Sequence, residues 1–265
     1  MPHSIARLRA PDVAVRIAAG AALILPMGST EAHGTAAPMG DWLLAEALAM
    51  QAARAAKAAG DDALVAPAIP FGAEDFFGGV PGAIALSPTT LAAIVLESLL
   101  ALRAGGATRL LVMNGHGGNI PAIETAQRAM RDRHGMIVPA LHLWREAAGL
   151  MQAWGVPTGS IGHGGDPVLS VAMHLFPDLC APGIAAPRRA PGRILGREVS
   201  GFNTVRIGGV DIAVPTHIDD VAPGGLQAAD ARGADAAMGA RLCAALAEAA
   251  AATLALMRDQ TKGQP

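Results

Sequence analysis

The chain has 265 residues, 52% of them hydrophobic, which is long enough to bury a large core and too apolar for a disordered polypeptide. Its 20 Lys and Arg against 22 Asp and Glu give a formal charge of −2, which leaves no electrostatic footprint for nucleic acid. Cys180 and Cys243 lack Cys-x-x-Cys spacing, so neither a disulfide framework nor a thiolate zinc site is expected.

The opening Met1-Pro2-His3-Ser4 does not read as a secretory signal, and no stretch of about 18 residues free of Gly, Pro and charge suggests a membrane span. A soluble, cytoplasmic protein acting on a small molecule is the expectation. Only 16% of residues are charged, which points to apolar surface buried between subunits of a homo-oligomer.

In chain order, residues 21 to 27 (Ala-Ala-Leu-Ile-Leu-Pro-Met) form the continuous apolar run of a strand buried on both faces, and they end in the polar loop Gly28-Ser29-Thr30-Glu31. From Trp42 to Ala59, Leu43, Leu44, Ala47 and Leu48 lie among Glu46, Gln51, Arg54 and Lys57 at helical spacing, and Gly60 closes the helix. A strand is expected at 63 to 69, then a glycine-rich loop from 71 to 82 that carries Glu74 and Asp75. Ser87-Pro88 opens a helix to Ala104, which Gly105-Gly106 stops. Arg109 to Met113 reads as a buried strand, followed by a helix from Pro121 to His134 and a strand from Met136 to Leu141.

This repetition predicts an α/β fold with three layers, helices covering both faces of a mostly parallel central sheet. Beyond Trp144, where Gly and Pro are frequent, only a helix from Pro167 to His174 and a long Ala-rich helix from Asp230 to Arg258 are predicted. The basic, proline-containing stretch Ala186 to Arg197 reads as a linker. No second core is evident, so residues 1–265 are expected to form one domain.

Ligands of an open parallel sheet bind beyond the carboxyl ends of its strands, and two loops here carry metal-capable side chains to those ends. Glu31 and His33, two apart in an extended segment, face the same way, and Asp41 follows eight residues later. In the other loop His116 stands among Gly115, Gly117 and Gly118, which let the backbone come close to a ligand. Two carboxylates and two imidazoles suit a divalent Zn, Mn or Fe centre of one or two ions. Each segment alone also has a plainer explanation, as solvated loop groups or as a tight turn in which Asn114 and Asn119 bond the backbone. Trp144 and Trp154 flank the approach to His163 and are candidates to wall a substrate pocket, with core packing as the alternative. His217 is a further candidate ligand, against an ordinary loop histidine.

Three segments, in this order, carry a resemblance: Leu25-Pro26-Met27-Gly28-Ser29-Thr30-Glu31-Ala32-His33-Gly34, Pro38-Met39-Gly40-Asp41, and Asn114-Gly115-His116-Gly117-Gly118-Asn119. They resemble the metal-site motifs of the creatininase (creatinine amidohydrolase) family. Pro81-Gly82 with Ile84 and Leu86, and His163-Gly164-Gly165-Asp166-Pro167-Val168-Leu169-Ser170, are similar to two further segments of that family. The resemblance implies an α/β/α fold, a divalent-metal site, hydrolysis of an amide or cyclic amide, and a hexamer. Carried over by position, it implies Glu31, His33, Asp41 and His116 as ligands, with Asp41 bridging two ions, and His163 as acid/base with Asp166 in the same catalytic segment. Gly117 and Gly118 then border the substrate.

The chain also departs from the family pattern. The loop from His33 to Asp41 is one residue short, and Gly118 and Val168 occupy the two places where relatives put a further ligand Glu. Asp166 replaces it only in part, Leu169 replaces a Thr, and Phe77 stands where many relatives have a loop His. The function expected is a metal-dependent hydrolase that cleaves a non-peptide C–N bond with metal-activated water. Two rival readings stand beside it: a metal-dependent hydrolase of another bond, such as a lactone or another ring, and a metal-poor relative serving as a binding or structural subunit.

Overall fold

The computed structural model describes residues 2–73, 80–184, 190–222 and 230–262. Helix α1 (Ala10–Ala18) precedes β1 (Ala22–Met27), which is followed by α2 (Asp41–Ala58), β2 (Ala63–Val65), β3 (Gly72–Ala73), β4 (Ala85–Leu86) and α3 (Pro88–Ala104). Next come β5 (Leu110–Asn114), α4 (Ile120–His134), β6 (Ala140–His142), α5 (Leu143–Ala153) and α6 (Val168–Leu175). The chain continues through β7 (Arg193–Ile194), β8 (Arg197–Gly201), β9 (Thr204–Ile207), β10 (Val210–Ala213), α7 (Ile218–Val221) and α8 (Ala236–Lys262).

The central sheet has the order β2-β1-β5-β6 with every pair parallel. Strand alternation feeds two cores, one on each face. Ala22, Ile24, Leu111 and Met113 join α2, α5, α6 and α8 on one face, while Leu23, Leu25, Leu110 and Val112 join α3 and α4 on the other. This is the expected α/β/α arrangement. Because β1 has β2 on one side and β5 on the other, the chain reverses its winding between β1 and β5, and the carboxyl ends of these two strands flank the sheet's natural ligand crevice.

Local chemistry explains the helix ends. Ser87 caps α3 through its side chain to the Thr90 amide (3.2 Å), Pro88 occupies the first turn, and Gly135 closes α4 in the left-handed region at φ 63°. Several boundaries differ from expectation. β2 stops at Val65 because Pro67 has no amide to donate, and only a bridge between Met27 and Ile69 continues the pairing. β6 begins at Ala140, after Pro139. Asp230 caps a short 3-10 turn, so α8 starts at Ala236, where Asp235 takes the amides of Ala237 and Met238.

The expected linker is only partly described, since residues 186–189, like Glu74, Asp75 and Phe77, lie outside the described residues. Its remainder is a correction, because β7 and β8 open a four-stranded antiparallel sheet of order β10-β9-β8-β7. Among the described residues one helix, α8, is long and apolar enough to cross a membrane. It packs on α2 and α6, with Leu242, Leu246 and Leu254 buried in the core.

Candidate active site

The loop after β1 carries Glu31 and His33, the first turn of α2 carries Asp41, and the loop after β5 carries His116; all four side chains are buried and converge. Glu31 Oε1 lies 2.9 Å from His116 Nδ1 and 3.1 Å from His33 Nε2. Asp41 Oδ2 is 3.7 Å from each of those nitrogens, so the shortened loop still delivers this carboxylate to the cluster. Asp41 Oδ1 accepts from the Ser29 amide at the N-terminus of α2, where the helix dipole favours an anion.

Backbone carbonyls set the histidine faces. His116 Nε2 donates to the Ala73 carbonyl (3.2 Å), which turns Nδ1 toward the carboxylates. Two asparagines clamp this loop: Asn114 Nδ2 donates to the His116 carbonyl (2.7 Å), and Asn119 Nδ2 donates to the Gly28 carbonyl (3.0 Å) while its Oδ1 accepts from the Ala73 amide (2.9 Å). Their bonding to local backbone and the metal reading of His116 are thus compatible. Gly118 is required to be small, because a Cβ there would lie 2.6 Å from the Ala73 oxygen and 2.7 Å from His116 Nε2. Gly118→Ala is therefore expected to displace His116 and weaken Mn²⁺ binding at least about tenfold, a result read by titration calorimetry. Unchanged affinity would show that the loop relaxes around the methyl group.

The electrostatics follow from two carboxylates confined with three rings. Burial and the neighbouring Glu31 charge push Asp41 up to about 7. Burial opposes charge on Glu31 as well, but the charge and hydrogen bond of His116, with those of His33, hold it well below the usual carboxylate range. His116 rises to about 9 because Glu31 and Asp41 outweigh its burial. A cation fits this donor set. Glu31 Oε2, His33 Nδ1 and Asp41 Oδ2 are buried without a hydrogen-bond partner, and such atoms cost roughly 1–3 kcal/mol each unless something satisfies them. Among the described residues, two donor sets share Glu31: Glu31 with Asp41 and His116, and Glu31 with His33 and His163.

His163 stacks on His33 with ring centroids 4.9 Å apart, meets Phe202 edge-on at 6.1 Å, and donates from Nε2 to the Ala32 carbonyl (2.6 Å). Burial lowers it to about 4, so it departs from the near-neutral value of a free imidazole.

Asp166 is buried beside it but belongs to neither donor set. Its carboxylate accepts from the Ser170 hydroxyl, and its backbone ties to Gly162 and Ser160.

A cavity of about 510 Å³ opens over the cluster, bordered by Gly117, Gly118, Trp144, His163, Asp166 and Phe202 among others. Trp144 Nε1 donates to the Gly115 carbonyl, leaving its ring face to the cavity. Trp154 is a correction. Ten residues further along α5 amounts to roughly 15 Å, and its ring packs on the core beneath the Arg241 guanidinium at 3.7 Å, outside the cavity wall. His217 is exposed at the start of α7, in neither donor set. Phe202 and Asn203, at the turn between β8 and β9, carried no signal in the sequence; nor did the Ala73 carbonyl, a backbone group any residue could supply.

Known proteins resemble this chain in sequence and in fold. The chain is 29% identical over 250 residues to the mycofactocin precursor peptide peptidase of Mycobacterium tuberculosis, covering 91% of this chain and 87% of that one. It is 34% identical over 184 residues to the creatinine amidohydrolase of Pseudomonas putida, covering 62% and 68%. A solved creatininase in a manganese form superposes with a TM-score of 0.73 over 96% of this chain and 97% of that one, at 23% identity, a level that speaks for the fold. The profile of the family described as creatinine amidohydrolase matches residues 6–254, and the chain belongs to the creatininase family.

Proposed function

We propose that this chain is a divalent-metal hydrolase of an amide C–N bond, open or cyclic, and that it works as one domain. The observation that carries the reading is the set of buried, unpartnered oxygens and nitrogen on Glu31, His33 and Asp41, of which Glu31 and His33 border the cavity. Glu31, His33, Asp41 and His116 would hold Zn, Mn or Fe, one or two ions. When bound, the metal supplies Lewis acidity to the attacking water and to the amide carbonyl.

The chain's own residues do the rest. His163, oriented by its Nε2–H bond to the Ala32 carbonyl, takes a proton from water and later returns it to the leaving nitrogen. Asp166 acts as a positioning residue, fixing the turn that holds His163 through Ser170 and the backbone of Ser160 and Gly162. The Gly117-Gly118 backbone and the Trp144 ring border the substrate. Phe202 and Asn203 of the antiparallel sheet line the same cavity as residues of the central sheet's loops, which supports a single working unit. One relative is named for a peptide substrate and another for creatinine, so the proposal covers amides of both kinds.

His163→Gln tests the division of labour. Turnover is expected to fall at least about a hundredfold while metal content per subunit, measured by elemental analysis, stays at the wild-type value. Parallel loss of metal would make His163 a ligand. Failure of the wild-type protein to take up Mn, Zn or Fe on reconstitution would overturn the enzyme reading and favour a binding subunit.

A further inference from the structure

We infer that the cavity takes a neutral amide bearing a bulky apolar substituent, with no free carboxylate on the part that enters. The inference rests on the site reading above and concerns what lies beyond the cluster. The ionisable donors Glu31, His33, His116 and His163 sit together, and the remaining wall is built largely of Ile120, Pro121, Trp144, Ala148, Ile161 and Phe202. Val168 extends that wall at the start of α6, beside the cluster.

Three polar groups on this wall are already engaged. The Trp144 indole N–H is bonded to the Gly115 carbonyl, the Asn203 carboxamide oxygen accepts from the Thr216 amide (3.3 Å), and the Asp166 carboxylate accepts from Ser170. Among the described residues no Lys or Arg borders the cavity, so a carboxylate or phosphate held against the wall away from the metal donors would shed hydration and find no cation there. An apolar group gains from the same desolvation, and burying a phenyl ring is worth at least about tenfold in affinity. The volume of about 510 Å³ suits such a ligand, whereas a small cyclic amide held at the cluster leaves most of it to water.

The test compares 4-phenylbutyramide, its para-carboxylate analogue and acetamide, with binding to the full chain followed by calorimetry on Mn²⁺-loaded and metal-free protein. The phenyl amide is expected to bind at least about tenfold tighter than either of the others, in both forms. Ala148→Phe, which fills the cavity from α5 without touching a metal donor, is expected to remove most of that preference. Phe202→Ala, on an exposed turn, is expected to reduce it about fivefold and serves as the second variant should the first fail to fold. Equal binding of the carboxylate or of acetamide, or a preference unmoved by both variants, overturns the inference. If no metal loads but the preference persists, the hydrolase reading falls and the apolar-ligand preference stands. If metal loads and the three probes bind alike, only the inference falls.

Discussion

Glu31→Gln is expected to weaken Mn²⁺ or Zn²⁺ binding at least about a hundredfold, the largest functional loss of any single exchange in the cluster. Glu31 belongs to both donor sets, and Oε1 alone reaches two histidine nitrogens, at 2.9 and 3.1 Å. Glutamine keeps the shape but removes one of the two negative charges that a dication would meet, and its amide offers N–H where an acceptor is needed. Asp41 cannot make up the loss, since its carboxylate lies farther out, 3.7 Å from each ring. The measurement is metal content after reconstitution, joined to thermal melting with and without the ion. An ion present at 100 times its Kd stabilises wild type by about 2.7 kcal/mol, and the variant should show no such shift. If Glu31→Gln keeps one equivalent of metal and the full shift, Glu31 is a structural partner of His116 and not a ligand.

How much of this was legible in the sequence depends on which forces left a mark there. The central layer was readable because β1 and β5 are buried on both faces and must be continuous apolar runs, while Ser87-Pro88, Gly60 and Gly135 punctuate the helices. The convergence of Glu31, His33, Asp41 and His116 was readable because few residue types can bind a divalent ion and these lie in short motifs after those strands. The antiparallel sheet was not. Of β8, β9 and β10 only Val199 and Val205 are buried, so no apolar periodicity distinguishes the segment from a linker. Phe202 reaches the cavity through that hidden sheet, and its role depends on a tertiary approach that local sequence does not encode. Trp154 shows the same limit: nearness in sequence to His163 does not give nearness in space, and the core-packing alternative holds because α5 carries the ring away along its axis. Asp41 shows the converse: standing in the first turn of α2, it comes within 3.7 Å of His33 although it follows eight residues later in the chain.

Arg109→Met is expected to cost about 3 kcal/mol of folding stability at neutral pH while leaving metal content per folded subunit unchanged. Arg109 is buried at the opposite end of the sheet from the cavity. It pairs twice with Asp61, at 2.7 and 2.8 Å, and donates to the carbonyls of Gly20 (2.6 Å) and Leu254 (2.9 Å). One guanidinium thus ties the approaches to β1, β2 and β5 to the C-terminal helix. Methionine fills comparable volume but strands the buried Asp61 carboxylate and two carbonyls, and Arg258, 3.9 Å from Asp61, compensates only in part. Burial opposes charge on Asp61, yet the Arg109 hydrogen bonds outweigh it and hold this carboxyl below its usual range. A depressed folded-state value makes the pair's contribution complete above the unfolded pKa of about 3.9 and lost as pH falls through the lower folded value. Urea denaturation should accordingly find wild type and variant far apart at pH 7 and converging below that unfolded value. Asp61→Asn combined with Arg109→Met should recover part of the loss, because the variant's cost is chiefly that of a stranded charge. A pH-independent difference, or strict additivity of the two exchanges, would assign the loss to packing and the carbonyl bonds instead.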